Sequence, residues 1–403
     1  MDRTTVDKPW LDDSRRSSLD LTLVRQGLVR PLVVRTSTRR GRSQVVGPHF
    51  AALARGRHRP RRESRQRSGP GTVLDQVVRL LRSHPGVSAR MPDPARPVLI
   101  RSGPSSRRLV AFFFAHGASQ PTLFVKLATV PKDRLALVRE HQNLHSVAAI
   151  AELVVSVPEP LAILELPEVT LSVQSGLPGT SFAAMLRRRV RPGDPRTDLA
   201  PALHWLARFQ QLTTTGTRPA IEANGFAARI SEYLPQPAHQ RLRNRLIHEA
   251  EGLQQTSVPV VRRHGDYWPG NILCHGEQVR IVDWEHSAAG WAPAHDMFML
   301  LTTYAALVPG RGQRLRTATH GFESAWLTPG PLSRRCREQA SAFLSGLDIT
   351  PPALDVLLVD FLTEMIDSPP FGDSEHWHRL LRGYAATLQV PGRTSRQARG
   401  DTR

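Results

Sequence analysis

Two short segments in the C-terminal half carry residues that could do chemistry together. They are "HGDYWPGN", residues 264–271, and "VDWE", residues 282–285. Four residues separate Asp266 from Asn271, the spacing at which one loop can present a proton acceptor and a metal ligand to the same point. Asp283 follows "VRIV", residues 279–282, and is expected at the end of a strand, where its carboxylate can face that point. These oxygen donors suit phosphoryl transfer, with Asn271 and Asp283 as Mg²⁺ ligands and Asp266 as the base for an acceptor hydroxyl.

A lysine and a glutamate in the N-terminal half would complete such a site. Only three of the 54 basic residues are lysine, and Lys126 lies within the strand-like run "LFVKLA". Glu140 follows on a predicted helix face that it shares with Leu137 and Leu144. A carboxylate on an apolar face is costly unless it is paired, so we expect Glu140 to pair with Lys126 and to hold it where it can bind the phosphates of a nucleotide. The alternative is a solvent-exposed Glu140 beside Arg139.

The elements that must position these residues indicate an α+β fold. Short connections with Gly or Pro favour an antiparallel arrangement of the first strands. Segments such as "DLAPALHWLARFQQL" and "PALDVLLVDFLTEMID" have helical periodicity, and they are interrupted by one hairpin, at "NILCHGEQVRIVDWE". The strands are expected at 97–102, 109–115, 122–128, 161–166 and 169–174, and the first-lobe helix at 132–147.

The same patterns predict two lobes. Residues 71–176 should form a small lobe with a five-stranded antiparallel sheet plus a helix. Residues 177–403 should form a larger, mostly helical lobe that carries the catalytic loop and becomes disordered from about residue 392.

Basic charge is concentrated at the N-terminus. The 403 residues have a net charge of +19, and residues 1–70 hold 17 of the 54 Lys and Arg but 6 of the 35 Asp and Glu. Arg-rich runs there contain almost no apolar residues, so we predict a largely disordered basic extension with one marginal strand at 31–35. The alternative is an arm that contacts nucleic acid through residues 35–67, although aromatic residues are not interleaved with the arginines and no nucleic-acid motif is present.

Composition also disfavours several classes of protein. No uncharged apolar run reaches the ~18 residues of a membrane span. The first residues lack the basic and apolar regions of a secretory signal. With only Cys274 and Cys336 there is no disulfide framework, and without G-x-x-x-x-G-K there is no P-loop. We expect a cytoplasmic monomer or dimer without a membrane partner.

The motifs resemble a known family. "HGDYWPGNIL" and "IVDWE" are similar to the aminoglycoside phosphotransferase and choline-kinase group of small-molecule kinases, which have Gly after His and Asp-Trp where protein kinases have Asp-Phe-Gly. "GWAPAHDM" resembles the family segment that follows the metal-binding aspartate, with Asp296 as a structural acid, and "LHWLARFQ" resembles its Leu-x-x-Leu-His helix. The resemblance extends over about residues 95–385 and is sharp between His264 and Met297. It implies a two-lobed protein-kinase-like fold that transfers the γ-phosphoryl group of ATP, with GTP left open, to a hydroxyl of a small molecule.

The resemblance also implies roles for individual residues. Asp266 would be the catalytic base, Asn271 and Asp283 would bind Mg²⁺, and His264 would brace the loop. Nucleotide-base contacts are expected from the backbone at 172–176.

Further nucleotide contacts follow from the same resemblance. The loop before the second strand is glycine-poor, as it often is in the family, and offers the hydroxyls of Ser105 and Ser106 to phosphate. At the end of the fifth strand, Gln174 and Gly176 are candidates for cofactor binding.

An acidic helix face bears on the acceptor. Residues 339–378 contain no Lys or Arg, and Asp360, Glu364 and Asp367 recur there at helical spacing. In the resembled enzymes C-terminal helices line the acceptor pocket, so we expect a cationic acceptor such as an amino sugar or an amino alcohol. The alternatives are a solvated acidic face and pairing with the chain's own arginines.

Two residues near the catalytic aspartate, Trp268 and Glu285, are further candidates for acceptor binding. Trp268 could stack on a sugar or an amine; the alternative is that it packs under the loop. A nucleotide-binding pseudokinase or scaffold is the main competing function, although every residue that the chemistry needs is present.

Overall fold

The computed structural model describes residues 73–93, 96–101, 108–167, 169–189, 193–308, 318–349, 353–367 and 374–389. The predictions for residues 1–70, for the C-terminal end and for Ser105 and Ser106 lie outside the described residues. Among the helices that the structure describes, none is long and apolar enough to cross a membrane.

A five-stranded antiparallel sheet forms the first lobe. Buried and partly buried residues alternate along its second strand, as expected for a strand with one face on a core. The sheet order is β1-β2-β3-β5-β4, so the five predicted strands and the meander of the first three are confirmed. The strands are β1 (Arg96–Arg101), β2 (Leu109–Phe114), β3 (Pro121–Ala128), β4 (Pro160–Leu166) and β5 (Val169–Ser175).

Three helices accompany this sheet: α1 (Val73–Ser83), α2 (Pro85–Ser88) and α3 (Pro131–Ala148). The first two cover one face of the sheet through a small apolar core that includes Val77 and Leu81.

Helix α3 connects the two lobes. It packs on β3, β4 and β5, while Leu144 and Val147 near its C-terminal end belong to the core of the second lobe. The chain leaves the five-stranded sheet after Ser175; the predicted lobe boundary at 176–177 stays a prediction.

The second lobe is mostly helical in its described residues. Helix α8 lies at its centre and is buried along its whole length. The helices are α4 (Phe182–Arg188), α5 (Pro195–Leu212), α6 (Ala223–Tyr233), α7 (Gln240–Gln254), α8 (Ala294–Leu307), α9 (Ala318–Phe322), α10 (Pro331–Ser345), α11 (Leu354–Asp367) and α12 (Ser374–Leu388).

Two small sheets border the catalytic loop. The predicted hairpin is confirmed as β9 and β10, with the short β6 added at its edge, but the β11-β8-β7 sheet was not predicted. The prediction missed it because β7 and β11 are four residues long, contain Gly or Pro, and have no buried residue. The strands are β6 (Thr180–Ser181), β7 (Gly216–Pro219), β8 (Ser257–Arg263), β9 (Ile272–His275), β10 (Gln278–Ile281) and β11 (Ala288–Trp291).

Candidate active site

The predicted catalytic loop, residues 264–271, begins where β8 ends, and it is held from two sides. The backbone N–H groups of His264 and Gly265 donate to the Asp296 carboxylate at 2.6 and 2.9 Å. The His264 ring donates from Nε2 to the Val282 carbonyl at 3.1 Å and accepts the Asp266 backbone N–H on Nδ1 at 3.3 Å. Burial lowers the pKa of His264, consistent with the neutral ring that these two bonds require. Both ring nitrogens are thus engaged within the loop, as a bracing role requires.

Gly265 is needed for the shape of this loop. Its φ is +81°, and a Cβ at this position would lie 2.3 Å from the His286 carbonyl oxygen. Only glycine has no side chain to place there, so the close approach of the two backbone segments depends on it.

Asp266 and Asn271 are in direct contact. Asn271 Nδ2 donates to Asp266 Oδ2 at 2.8 Å and to the Asp266 carbonyl at 3.0 Å. The other carboxyl oxygen, Oδ1, is buried and has no hydrogen-bond partner among the described residues. Burial, and after it the negative charge of Asp283, raise the pKa of Asp266 to about 8. The loop therefore presents one unengaged oxygen on a carboxyl group with high proton affinity, as a general base needs.

Lys126 links the two lobes at the same point. Its Nζ lies 2.7 and 2.8 Å from the two carboxyl oxygens of Glu140, and 2.6 Å from Asp283 Oδ1. Glu140 is fully buried, so the solvent-exposed alternative is wrong and the predicted pair is present. Burial alone would lower the pKa of Lys126, but the carboxylates of Asp283 and Glu140 raise it above its ordinary value.

Asp283 has an unusual backbone conformation two residues after the end of β10. Its φ is +69°, a left-handed conformation that residues with a Cβ seldom adopt. Such conformations persist where the surrounding structure fixes them, and they concentrate at functional sites. Here the buried ring of Trp284 anchors the next residue, with its Nε1 donating to the Ile281 carbonyl at 3.2 Å.

The candidates on β5 are engaged within the protein. Gln174 Nε2 donates to Glu140 Oε1 at 3.2 Å, which supports the Lys126–Glu140 pair. The Gly176 N–H donates to the Thr122 carbonyl at 2.8 Å, and a Cβ on Gly176 would lie 2.0 Å from the Pro121 carbonyl oxygen. The geometry therefore gives both residues structural roles, and cofactor binding by them stays a prediction.

Glu285 makes contacts that the sequence did not indicate. One of its oxygens accepts from Arg108, and the other accepts from His286 Nε2 at 3.0 Å. Burial would raise the pKa of Glu285, but the His286 hydrogen bond and the charge of Arg108 lower it to about 2. Arg108 also donates to Asp133 at 3.2 Å. Sequence reasoning missed Arg108 because its partners are remote in the chain.

Trp268 packs against the catalytic loop. A Cβ on Gly270 would lie 2.1 Å from the Trp268 ring, and the ring is partly buried against the core of the second lobe. These contacts match the packing alternative; acceptor binding by Trp268 stays a prediction.

The acidic face of α11 pairs with the chain's own groups. Arg229 donates to Asp360 at 2.5 Å. Glu364 forms ion pairs with Arg263 and with His295, the latter at 2.9 Å. The Tyr233 hydroxyl donates to Asp367. Pairing with the chain's own arginines, one of the two alternatives for this face, is therefore observed for Asp360 and Glu364.

These carboxylates nevertheless line a cavity of about 480 Å³. The guanidinium of Arg263 stacks on the Trp291 ring at 3.3 Å, and both residues form part of the wall. Arg263 directly precedes His264, so the cavity begins at the base of the catalytic loop. Its walls combine aromatic rings with acidic and basic side chains that form ion pairs with each other.

The residues at the loop fit a magnesium ion. Mg²⁺ takes oxygen ligands, keeps several waters, and is usually held by one or two protein groups plus phosphate oxygens. Asn271 and Asp283 supply an amide and a carboxylate beside the unengaged oxygen of Asp266. The described residues contain no cluster of three or more His, Cys, Asp and Glu that would form a site without phosphate. When bound with a nucleotide, the ion would neutralise charge on the transferred phosphoryl group.

Residues 101–332 match the model of the phosphotransferase enzyme family (APH). The chain belongs to this family. The fold of this chain is accordingly the two-lobed, kinase-like α+β fold that the sequence predicts, and the predicted family is confirmed.

Solved structures similar to this chain are remote in sequence. A thermostable mutant of aminoglycoside phosphotransferase APH(4)-Ia, in complex with ADP and hygromycin B, is 14% identical, with 73% of this chain and 95% of that chain covered and a TM-score of 0.42. Choline kinase LicA from Streptococcus pneumoniae is 12% identical, with 78% and 100% covered and a TM-score of 0.41. A GDP complex of an aminoglycoside 2'-phosphotransferase-IIIa mutant is 13% identical, with 72% and 93% covered and a TM-score of 0.42. A search of the curated proteins finds no match.

Proposed function

We propose that the chain is an ATP-dependent kinase that transfers a γ-phosphoryl group to a hydroxyl of a small molecule, with Mg²⁺ as cofactor. The observation that carries the proposal is the convergence of Lys126, Asp283 and the Asp266–Asn271 pair from two lobes on one point. Lys126 would hold nucleotide phosphates, Asn271 and Asp283 would hold the metal, and Asp266 would accept the acceptor's proton.

The protonation of Asp266 fits this role. A base works best when its pKa lies near the operating pH, and the pKa of Asp266 is raised to about 8. Its buried Oδ1 has no hydrogen-bond partner among the described residues, so this oxygen is free to accept a hydrogen bond from the acceptor hydroxyl. The nearby cation and phosphates of a bound nucleotide would adjust that pKa further.

We place the acceptor in the cavity beside the loop. A cationic acceptor, an amino sugar or an amino alcohol, would have to compete with Arg229 and Arg263 for Asp360 and Glu364. The charge of the acidic face alone therefore favours a cation less than the sequence suggests. Aromatic walls such as Trp291 suit the apolar face of a sugar ring equally well.

The test is a Mg²⁺-dependent nucleotide-consumption assay of the wild type and Asp266→Ala. Acceptors would include aminoglycosides, choline, ethanolamine, homoserine, amino sugars and neutral sugars, each with ATP and with GTP. We expect turnover with at least one acceptor and a loss of about 10²–10⁴-fold in the variant, the usual contribution of a general base. Binding of Mg²⁺-nucleotide to the variant should be largely retained.

The outcomes separate the alternatives. Turnover only with cationic acceptors would support the amino-sugar or amino-alcohol class, and turnover only with neutral sugars would exclude it. If the wild type binds Mg²⁺-ATP but phosphorylates no acceptor, the pseudokinase or scaffold interpretation is favoured. A cytoplasmic monomer or dimer is the working hypothesis for these assays.

A further inference from the structure

A second cation on the first-lobe sheet reaches the second lobe beside Lys126. Val110 of β2 pairs directly with Lys126 of β3. Side chains two residues apart in a strand lie on the same face of a sheet. Arg108, two residues before Val110, therefore emerges on the face that carries Lys126.

Both cations contact the same short segment of the second lobe. Lys126 Nζ contacts Asp283 at 2.6 Å, and Arg108 contacts Glu285 two residues later. Arg108 also reaches the first turn of α3, where its Nε lies 3.2 Å from Asp133 Oδ1. The Arg108 and Glu285 side chains are 19% and 17% exposed. Removing one partner of a contact this shielded leaves the other charge partly buried and unpaired, which costs more than the loss of an exposed ion pair.

Each residue of the segment that joins these two contacts, residues 283–285, is held by a contact or by burial. Trp284 is buried in the second-lobe core, and the second oxygen of Glu285 accepts from His286 at 3.0 Å. Movement of Glu285 relative to Arg108 would therefore also move Asp283 relative to Lys126. The spacing of the lobes at the phosphate site depends on both ion pairs.

We propose that Arg108 and Glu285 form a positioning pair that sets the distance between Lys126 and Asp283, and with it the alignment of the phosphoryl group. The metal-binding and phosphate-binding parts of this proposal depend on the proposed kinase function. The contact between the two lobes does not.

The test uses Arg108→Gln, Glu285→Gln and the double variant of the full chain. Glu285→Gln isolates the contact between the lobes because it leaves Arg108 and Asp133 paired. Arg82→Gln is the matched control, since Arg82 pairs with Asp93 on the surface with side chains 49% and 90% exposed. Thermal unfolding would verify that each variant is folded.

Two readouts are needed. Amide hydrogen exchange of the nucleotide-free protein should increase in peptides that cover 283–287 in both single variants and not in Arg82→Gln. In kinetics, each single variant should lower kcat/KM for the nucleotide about tenfold, and the double variant should lose no more than the worse single variant, as expected for contacting charges. The exchanged pair, Arg108→Glu with Glu285→Arg, should recover part of the loss.

Each result decides the proposal. Unchanged exchange at 283–287, or kinetic effects of the single variants that multiply in the double variant, would overturn it. If the wild type shows no turnover but exchange at 283–287 still depends on both residues, the kinase function fails and the positioning contact is supported.

Discussion

The carboxyl group of Asp266 is both useful for catalysis and unfavourable for folding. Its environment stabilises the protonated form, because burial and Asp283 oppose the negative charge. In the unfolded chain the same group would have an ordinary pKa near 4. The ionised base that phosphoryl transfer needs is therefore costly in the nucleotide-free protein.

This cost predicts that Asp266→Asn stabilises the nucleotide-free protein in a pH-dependent way. The folded-state pKa, about 8, lies above the unfolded value, so the stability that the protonated carboxyl contributes is complete below about pH 4 and is lost as pH rises through 8. The melting temperature of the variant relative to wild type should therefore rise between pH 5 and pH 8. The difference in the free energy of unfolding between the variant and the wild type cannot change by more than about 1.4 kcal/mol per pH unit, because a single group titrates. A difference in melting temperature that stays constant between pH 5 and pH 8 would show that the pKa of Asp266 is not raised in the folded protein.

Among the elements, the catalytic loop depends on Gly265 for its shape. Gly265→Ala would place a Cβ 2.3 Å from the His286 carbonyl oxygen, so the loop or the 283–287 segment must shift. We expect kcat to fall about 100-fold or more, since displacements near 1 Å at a catalytic group have effects of that size.

Gly276→Ala is the matched control for this prediction. Gly276, in the β9–β10 turn, has a φ of +59° but no atom within 4 Å of a built Cβ. That variant should be destabilised by about 1–2 kcal/mol through its backbone alone, with kcat unchanged. Equal kcat losses in the two variants would contradict the close-contact explanation.

Local patterns predicted most elements and failed for contacts between remote parts of the chain. The strands of the first lobe and the helix with Glu140 follow from periodicity, and the order Asp266, Asn271, Asp283 indicates the site. The sequence does not predict the β11-β8-β7 sheet, because its edge strands β7 and β11 are four residues long and have no buried residue that would give an alternating pattern.

The remote contacts explain the remaining differences. Arg108 and Glu285 are 177 residues apart, and Arg229 and Asp360 are 131 apart. No local sequence pattern predicts such pairs. The acidic face of α11 therefore suggested a cationic ligand, although Asp360 and Glu364 form ion pairs with arginines of the protein itself.

At the scale of the whole molecule, the described residues form two apolar cores, and α3 contributes Leu144 and Val147 to the larger one while it packs on the first-lobe sheet. The small core holds the first-lobe sheet, and the large core extends from Leu144 of α3 to the C-terminal helices. The family match covers 101–332, and the site lies between the cores. The proposed site residues that the structure describes thus all belong to the two lobes.

Deletion of residues 1–70 should therefore leave kcat/KM within about twofold of wild type, since every proposed site residue lies outside the deleted segment. The measurement pairs the nucleotide-consumption assay with binding of duplex DNA and RNA at several salt concentrations. Salt-dependent binding that disappears with the deletion would support a nucleic-acid role for the Arg-rich segment. Loss of phosphotransfer in the deleted protein would contradict the assignment of the activity to the lobes.

The near absence of lysine has a practical consequence for chemical labelling. Besides Lys8 and the amino terminus, the primary amines of the chain are Lys126 and Lys132. Acylating reagents attack the unprotonated amine. They should modify the exposed Lys132 and spare Lys126, whose ammonium is buried between Glu140 and Asp283. Acylation of Lys126, read as a mass shift on one peptide, would then report the moment at which the lobes separate.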